Sequence, residues 1–305
     1  AWVTDPWTVV EQDGRLYGRG TCDMKGFLAM ALHALVDARD KPLKRPLQIA
    51  FSRDEEIGLL GAPDVAQALL DNYAKAEAVI VGEPTQMDVV TGHKSCEFIK
   101  VHVRGFEVHS SRLHEGVSAV MFAARFISWI HDQNVAAQSK PATTMAAMYD
   151  PPFTTLHTGV IQGGTASNIT AKDCLFTVDL RCVGDENGED WLDVLRAKAT
   201  ELQGEMQLIH PDTGIDFDIL EGPSVAPEQG GRAEELARQF TGDNGTHTVS
   251  YGTDGGHFQK AGFSVVVCGP GSIEQAHQPN EFLEIAEFEK GQAFLAKVVH
   301  HLCQG

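Results

Sequence analysis

No run of apolar residues in this 305-residue chain approaches the ~18 that a bilayer span requires, and no charged-then-apolar leader opens it. Neither membrane insertion nor a cleaved secretory signal is expected. Basic residues are scarce: 24 Lys and Arg stand against 42 Asp and Glu, a formal net charge of −18. Such a balance repels a phosphate backbone unless a basic patch is segregated, and here the Lys and Arg are dispersed, so nucleic acid is not an expected partner. The six cysteines (Cys22, Cys96, Cys174, Cys182, Cys268, Cys303) form no CxxC pair and no tight cluster. They spell neither a zinc knuckle nor a disulfide framework, and fit free thiols in a reducing cytoplasm. The 30 Gly and 13 Pro follow no period, which argues against collagen and repeat arrays. A phosphate-cradling GxxxxGKS or GxxxxGKT is missing, and GRGTCDMKG lacks the third glycine of GxGxxG, which argues against nucleotide binding.

What remains is an ordinary globular composition, 43% hydrophobic, with length for about two domains. The text opens with AWVTDPW, which reads as the middle of a loop, and a preceding segment is expected. Residues 26–39 place Phe27, Met30, Ala31, Ala34 and Leu35 at helical spacing, predicting an amphipathic helix. The short apolar runs LQIAFS (47–52) and AVIV (78–81) predict strands, with a helix near Val65–Leu70 between them. Both runs lead directly to acidic residues: Asp54, Glu55 and Glu56 after the first, Glu83 after the second. Alternating strands and helices imply an α/β fold, a mostly parallel mixed sheet with helices on both faces, whose strand carboxyl ends are where ligands sit. From about residue 93 the rhythm changes. EFIKVHVRG, a helix over 116–132, TLHTGVIQGG, CLFTVDLRC, a helix in DWLDVLRAKATEL and GIDFDIL give the order β-α-β-β-α-β of a split-βαβ, ferredoxin-like unit. Residues 93–222 are therefore expected to form an inserted domain, with 1–92 and 223–305 forming the other; the latter part carries a helix near 231–240, a strand at 264–268 and a closing helix over 285–301.

Acidic residues at the ends of core elements repel one another unless a cation joins them, since buried carboxylates need partners. Asp23 lies in YGRGTCDMKG before the first helix, Glu55 and Glu56 are adjacent, and Glu83 sits in VGEPT before a proline that favours extended backbone. In extended chain the neighbours Glu55 and Glu56 point to opposite sides, so that one can ligate a metal while the other faces a water. His277 stands in the Gly- and Pro-bounded loop GPGSIEQAHQPNEF. Singly, each has a plain reading: Asp23 a helix N-cap, the DEE run a solvated turn, Glu83 an exposed turn residue, His277 a surface imidazole.

Taken together and in order, GRGTCDMKG, DEEIG, VGEPT, TGHKS and GPGSIEQAHQPNEF resemble the dinuclear-zinc aminoacylase and carboxypeptidase family, its acetylornithine deacetylase branch most of all, over almost the whole chain. The resemblance implies a zinc-peptidase-like catalytic domain of residues 1–92 and 223–305, amino-terminally incomplete, and a lid and dimerisation domain of residues 93–222. It implies that Asp23 bridges two metal ions, zinc or cobalt, that Glu56 and His277 complete one of them, that Glu83 binds the other, and that Glu55 is the general base. His109 in FEVHSS would reach the active site of a second subunit in a homodimer. Asn168 in GGTASNIT and Arg181 in VDLR would hold a substrate carboxylate, and Gly252, Thr253 and Asp254 would form a substrate-contacting loop. Plain readings stand beside these too: a solvated His109, an Arg181 paired with Asp179, an Asn168 shaping a turn, an Asp254 capping the following helix.

The sequence departs from the family pattern in two ways. The family's further metal-binding His, in an HxD strand upstream of GRGTCDMKG, has no counterpart in residues 1–22; if the chain is complete as given, the second metal is expected to bind weakly or not at all. The acid after GT is Asp254, where the branch often carries Glu, and NIT replaces its usual Asn-hydrophobic-Pro run. The expected activity is metal-dependent removal of the acyl group from an N-acyl amino acid, N-acetyl-L-ornithine foremost. Succinyl-diaminopimelate desuccinylation, a broad aminoacylase, or a catalytically inactive homologue acting as a binding or scaffold protein are the alternatives.

Overall fold

The structure, a computed structural model, describes residues 1–304. The chain divides into two compact units, one comprising Ala1–Gly92, Val225–Val249 and the residues from Thr253 on, the other His93–Ser224 with Ser250–Gly252.

The first unit opens with a hairpin of β1 (Val10–Gln12) and β2 (Arg15–Tyr17). Its two-residue turn is Asp13-Gly14, with φ of +51° and +75°, the geometry that matches the twist of the paired strands. Two three-residue strands are too short to show an alternation, so hydrophobic patterning does not find them. Next come α1 (Lys25–Ala38), α2 (Ala62–Asn72), β3 (Val79–Val81) and β4 (Val90–His93). Helix α1 buries Phe27, Met30, Ala31 and Ala34 as their spacing predicts, but the stripe continues through Ala38, and Leu35 is 40% exposed. The strand expected over 47–52 is not formed, and Phe51 is exposed. An apolar run becomes a strand only where another strand takes up its N–H and C=O groups, and no described strand does so here.

The second unit runs β5 (Glu97–Arg104), α3 (Ala119–Ser139), β6 (Thr155–His157), β7 (Ile161–Gly163), β8 (Asp173–Arg181), α4 (Gly188–Gln207) and β9 (Gly214–Leu220). TLHTGVIQGG thus yields two strands rather than one, broken around Gly159, and both pair with β8. The sheet order is β6-β8-β5-β9 with every pairing antiparallel. Along β5, Ile99, Val101 and Val103 are buried while Lys100 and Arg104 are exposed, the period of two that puts alternate side chains on one face. That face packs with Phe176 and Val178 of β8, Phe126 and Ile130 of α3, and Leu192 and Leu195 of α4 into a single core.

The first unit resumes with α5 (Arg232–Thr241), β10 (His247–Val249), α6 (Gly255–Lys260), β11 (Val265–Val267), β12 (Phe282–Glu284) and α7 (Ile285–Gln304). Its larger sheet has the order β10-β4-β11-β3. Val266 packs against Ala237 and Phe240 of α5 and Phe294 of α7, whereas its neighbour Val265 packs against Ala66 of α2 and Phe258 of α6. Adjacent strand residues face opposite ways, so helices cover both faces. The sheet is mixed: β3 and β11 are parallel, β4 and β11 antiparallel. With 47–52 contributing no strand, the parallel part is smaller than the sequence suggests.

Strand β12 joins the hairpin, with Phe282 opposite Tyr17 and Leu283 opposite Leu16. This antiparallel register sets the chain leaving β2 toward Asp23 beside the chain arriving from His277. Among the described residues, no helix is long and apolar enough to cross a membrane.

Candidate active site

Asp23 reaches its place through a tight turn. A Cβ at Gly26 would lie 2.2 Å from the Thr21 carbonyl oxygen, so only glycine lets the first turn of α1 close on that loop. The N-cap of α1 is Met24, with no side-chain capping bond; the Asp23 carboxylate is not engaged at the helix end. Glu83 follows β3 after one residue, Gly82. A Cβ at Gly82 would fall 2.0 Å from the Phe27 ring, and this close packing of β3 on α1 brings Glu83 near enough to Asp23 for the two carboxyl groups to act on each other electrostatically. Glu83 is 8% exposed, not the exposed turn residue of the plain reading.

Glu55 and Glu56 lie in a 3-10 turn (Glu55–Ile57), not at the end of a strand. Successive side chains there diverge by about 120°, so the two carboxylates still separate, by a different geometry from that of extended chain. Asp54 before them (φ +56°) and His277 (φ +59°) both hold left-handed backbone that non-glycine residues seldom adopt, a conformation that tends to cluster at functional sites. His277 Nε2 is 2.8 Å from Glu56 Oε2 and 3.4 Å from Asp23 Oδ2. One ligand atom from each of Asp23, Glu56 and His277 lies within 4.8 Å of the others.

The electrostatics follow from crowding anions in a half-buried place. Burial and then the charge of Asp23 push Glu83 well above the usual carboxylate range. Burial and then Glu56 raise Asp23. Glu55 is pushed up to about 7 by burial and then by Asp254, Glu56 and Asp23. Asp254 belongs to the same cluster. It occupies the N-cap position of α6 but makes no capping bond; instead Ser52 Oγ donates to its Oδ2, while its buried Oδ1 has no hydrogen-bond partner. Burial raises its pKa.

Asp23, Glu55, Glu56, Glu83, His277, Thr253 and Asp254 belong to the first unit; His109, Asn168, Arg181 and Gly252 belong to the second. Within the second unit His109 and Ile169 form a bridge, Ser110 N–H donates to the Asn168 carbonyl at 2.7 Å, and His109 Nδ1 lies 2.8 Å from Ser111 Oγ. His109 and Asn168 are therefore neighbours on paired segments. Arg181 forms a two-pronged ion pair with Asp179, at 2.7 and 3.1 Å. A Cβ at Gly252 would strike Cys96 Sγ at 2.2 Å, which explains that glycine by packing.

Two residues that sequence reasoning did not single out support the cluster: Ser52, and the fully buried Glu281, which accepts the backbone N–H groups of Cys22 and Asp23. Glu281 lies inside GPGSIEQAHQPNEF, yet in the text it looks like any loop carboxylate. A second cluster, Asp88, Asp243 and His247, also brings ligand atoms together. There Asp243 already accepts the backbone N–H groups of Val89 and Gly245, and locks a turn.

Comparison with known proteins decides the family. A family model described as peptidase family M20/M25/M40 matches residues 1–301. The chain belongs to this family. With that membership it is a metal-dependent hydrolase acting on amide bonds. An acetylornithine deacetylase from Myxococcus xanthus is 34% identical over 315 residues, covering 100% of this chain and 77% of that protein. One from Salmonella paratyphi B is 33% identical, covering 99% of this chain and 76% of its own length. Among solved structures, a tripeptidase from Staphylococcus aureus superposes with a TM-score of 0.72 at 20% identity, over 97% of this chain and 76% of that one. An M20 family metallo-carboxypeptidase from Sulfolobus solfataricus does so with 0.72 at 17%, over 100% and 81%. These two likenesses show the shared fold.

The donor set fits the divalent cation that M20 membership implies. Two carboxylates and an imidazole converge, and O and N donors of this kind suit zinc or cobalt. Carboxyl groups raised by burial and by one another's charge, and the orphaned Asp254 oxygen among them, leave the cluster short of positive charge.

Proposed function

We propose that this M20 chain hydrolyses an N-acyl amino acid, N-acetyl-L-ornithine before others, to the free amino acid and acetate. The observation that carries the reading is the meeting of Asp23, Glu56 and His277 at one point with Glu55 and Glu83 beside them. The acetylornithine deacetylases that match the whole chain support the substrate. Asp23, Glu56 and His277 would hold one zinc or cobalt ion, and Asp23 with Glu83 would contribute to a second. When bound, such ions would supply an acidified water and polarisation of the scissile carbonyl. Glu55 takes the proton from the attacking water and returns it to the departing nitrogen as the C–N bond breaks, leaving acetate and the free amine. His109 donates to the developing oxyanion, and Arg181 with Asn168 orients the substrate's α-carboxylate. Gly252, Thr253 and Asp254 contact the substrate side chain. Residues 93–222 act as lid and dimerisation domain of a cytoplasmic homodimer in arginine biosynthesis, and 1–92 with 223–305 as the catalytic domain.

The test is turnover of N-acetyl-L-ornithine beside N-succinyl-diaminopimelate. Glu55→Gln is expected to lower kcat by about 10²- to 10⁴-fold with metal content unchanged. Inertness toward both substrates, or a Glu55→Gln enzyme that keeps its rate, contradicts the reading.

A further inference from the structure

We infer that Glu281 is a positioning residue that fixes Asp23 against His277; the inference rests on the metal-centre reading proposed above. Glu281 is fully buried, where a carboxyl group needs its lone pairs engaged by hydrogen-bond donors. They are. Oε1 accepts the backbone N–H groups of Cys22 and Asp23 at 2.9 and 3.0 Å. Oε2 accepts the N–H of Gly20 at 3.0 Å and Arg19 Nη1 at 2.9 Å. The Glu281 carbonyl takes a fifth donor, Gly18 N–H, at 3.1 Å. One residue therefore bonds five of the six positions of the turn from Gly18 to Asp23, all but Thr21. Three of its side chain's four donors are main-chain groups, so it specifies backbone position rather than merely neutralising a charge.

Glu281 stands four residues after His277 and immediately before β12, whose register with β2 brings the two segments together. The start of the same loop is held separately, by Gly271 N–H donating to Glu287 Oε2 at 3.2 Å. Asp23 and His277 are 254 positions apart in sequence, yet their ligand atoms are 3.4 Å apart. A hydrogen bond from the Asp23 N–H to the Glu281 side chain ties the two segments together four residues from His277. A neutral isostere cannot reproduce the clamp, because a carboxamide turns an N–H₂ group toward one of the two donor pairs.

The experiment measures Co²⁺ affinity by visible absorption titration of the chelator-stripped full chain, with Glu281→Gln, Arg19→Met, His277→Ala and Val299→Ala. Glu281→Gln is expected to weaken Co²⁺ binding about 10- to 100-fold and to alter the absorption band, as loss of an outer-shell partner does. At saturating metal, kcat should fall while KM changes little. Arg19→Met removes one of the four donors to the Glu281 carboxylate and keeps the three main-chain ones, so it should shift affinity in the same direction by less. Val299→Ala lowers stability in the core between α1 and α7 and should leave the Co²⁺ affinity at the wild-type value. Wild-type affinity in both Glu281→Gln and Arg19→Met, with binding lost in His277→Ala, overturns the positioning role alone. Unchanged binding in His277→Ala overturns the metal-centre reading itself.

Discussion

Gly26 shows how a single missing side chain places a ligand. With the Thr21 carbonyl 2.2 Å from where a Cβ would stand, Gly26→Ala must push the loop off the helix. The expected cost is about 1–3 kcal/mol, read as a lower urea midpoint, together with weaker metal binding as Asp23 moves. At this scale the sequence was informative about Asp23, Glu55, Glu56, Glu83 and His277 through the company each keeps in its motif. Whether Asp23 caps the helix was not legible, because an N-cap and a ligand one residue upstream look identical in text; the structure puts Met24 at the cap. Glu281 and Ser52 were not legible either. What distinguishes them is the set of distant groups they bond, and a carboxylate or hydroxyl in a loop carries no mark of that.

Period-two burial made β5 and β8 readable, since each has eight or nine residues and one face in a core. The hairpin of β1 and β2 and the missing strand at 47–52 mark the opposite case. A short or lone segment is made a strand by its neighbour's hydrogen bonds, which lie elsewhere in the chain. Glu97, the first residue of β5, offers a test at this level. It is 6% exposed and accepts from Ser95 Oγ at 2.5 Å, and burial pushes its carboxyl from 4.5 up to about 7. The folded state thus holds a proton that the unfolded chain releases above 4.5. Its contribution is fully present below pH 4.5 and is lost as pH rises through 7, a swing of about 3 kcal/mol. Glu97→Gln keeps the neutral form at every pH, so its thermal midpoint relative to wild type should climb between pH 4.5 and 8. Parallel profiles for the two proteins would contradict this.

Over the whole molecule, with a net charge of −18 and a cluster of carboxylates in one unit, a cation bound as proposed would add to stability. A metal held by the folded chain and not by the unfolded one stabilises by about 2.7 kcal/mol at a hundredfold excess over Kd. Chelation should lower the thermal midpoint by several degrees and Zn²⁺ should restore it, while Asp23→Ala should respond to neither. An unaltered wild-type midpoint under strong chelation removes the metal from the stability balance. The sequence alone determined the family, the α/β class and the identities of the converging acids, because motif order and hydrophobic period are properties of the text. Only the tertiary structure decided that Asp23 serves no helix cap, that 47–52 lacks a partner strand, and that a buried carboxylate four residues beyond His277 grips the turn carrying Asp23. Each of those depends on which distant groups meet, and meeting is settled by packing and hydrogen-bond satisfaction, which act through space and not along the chain.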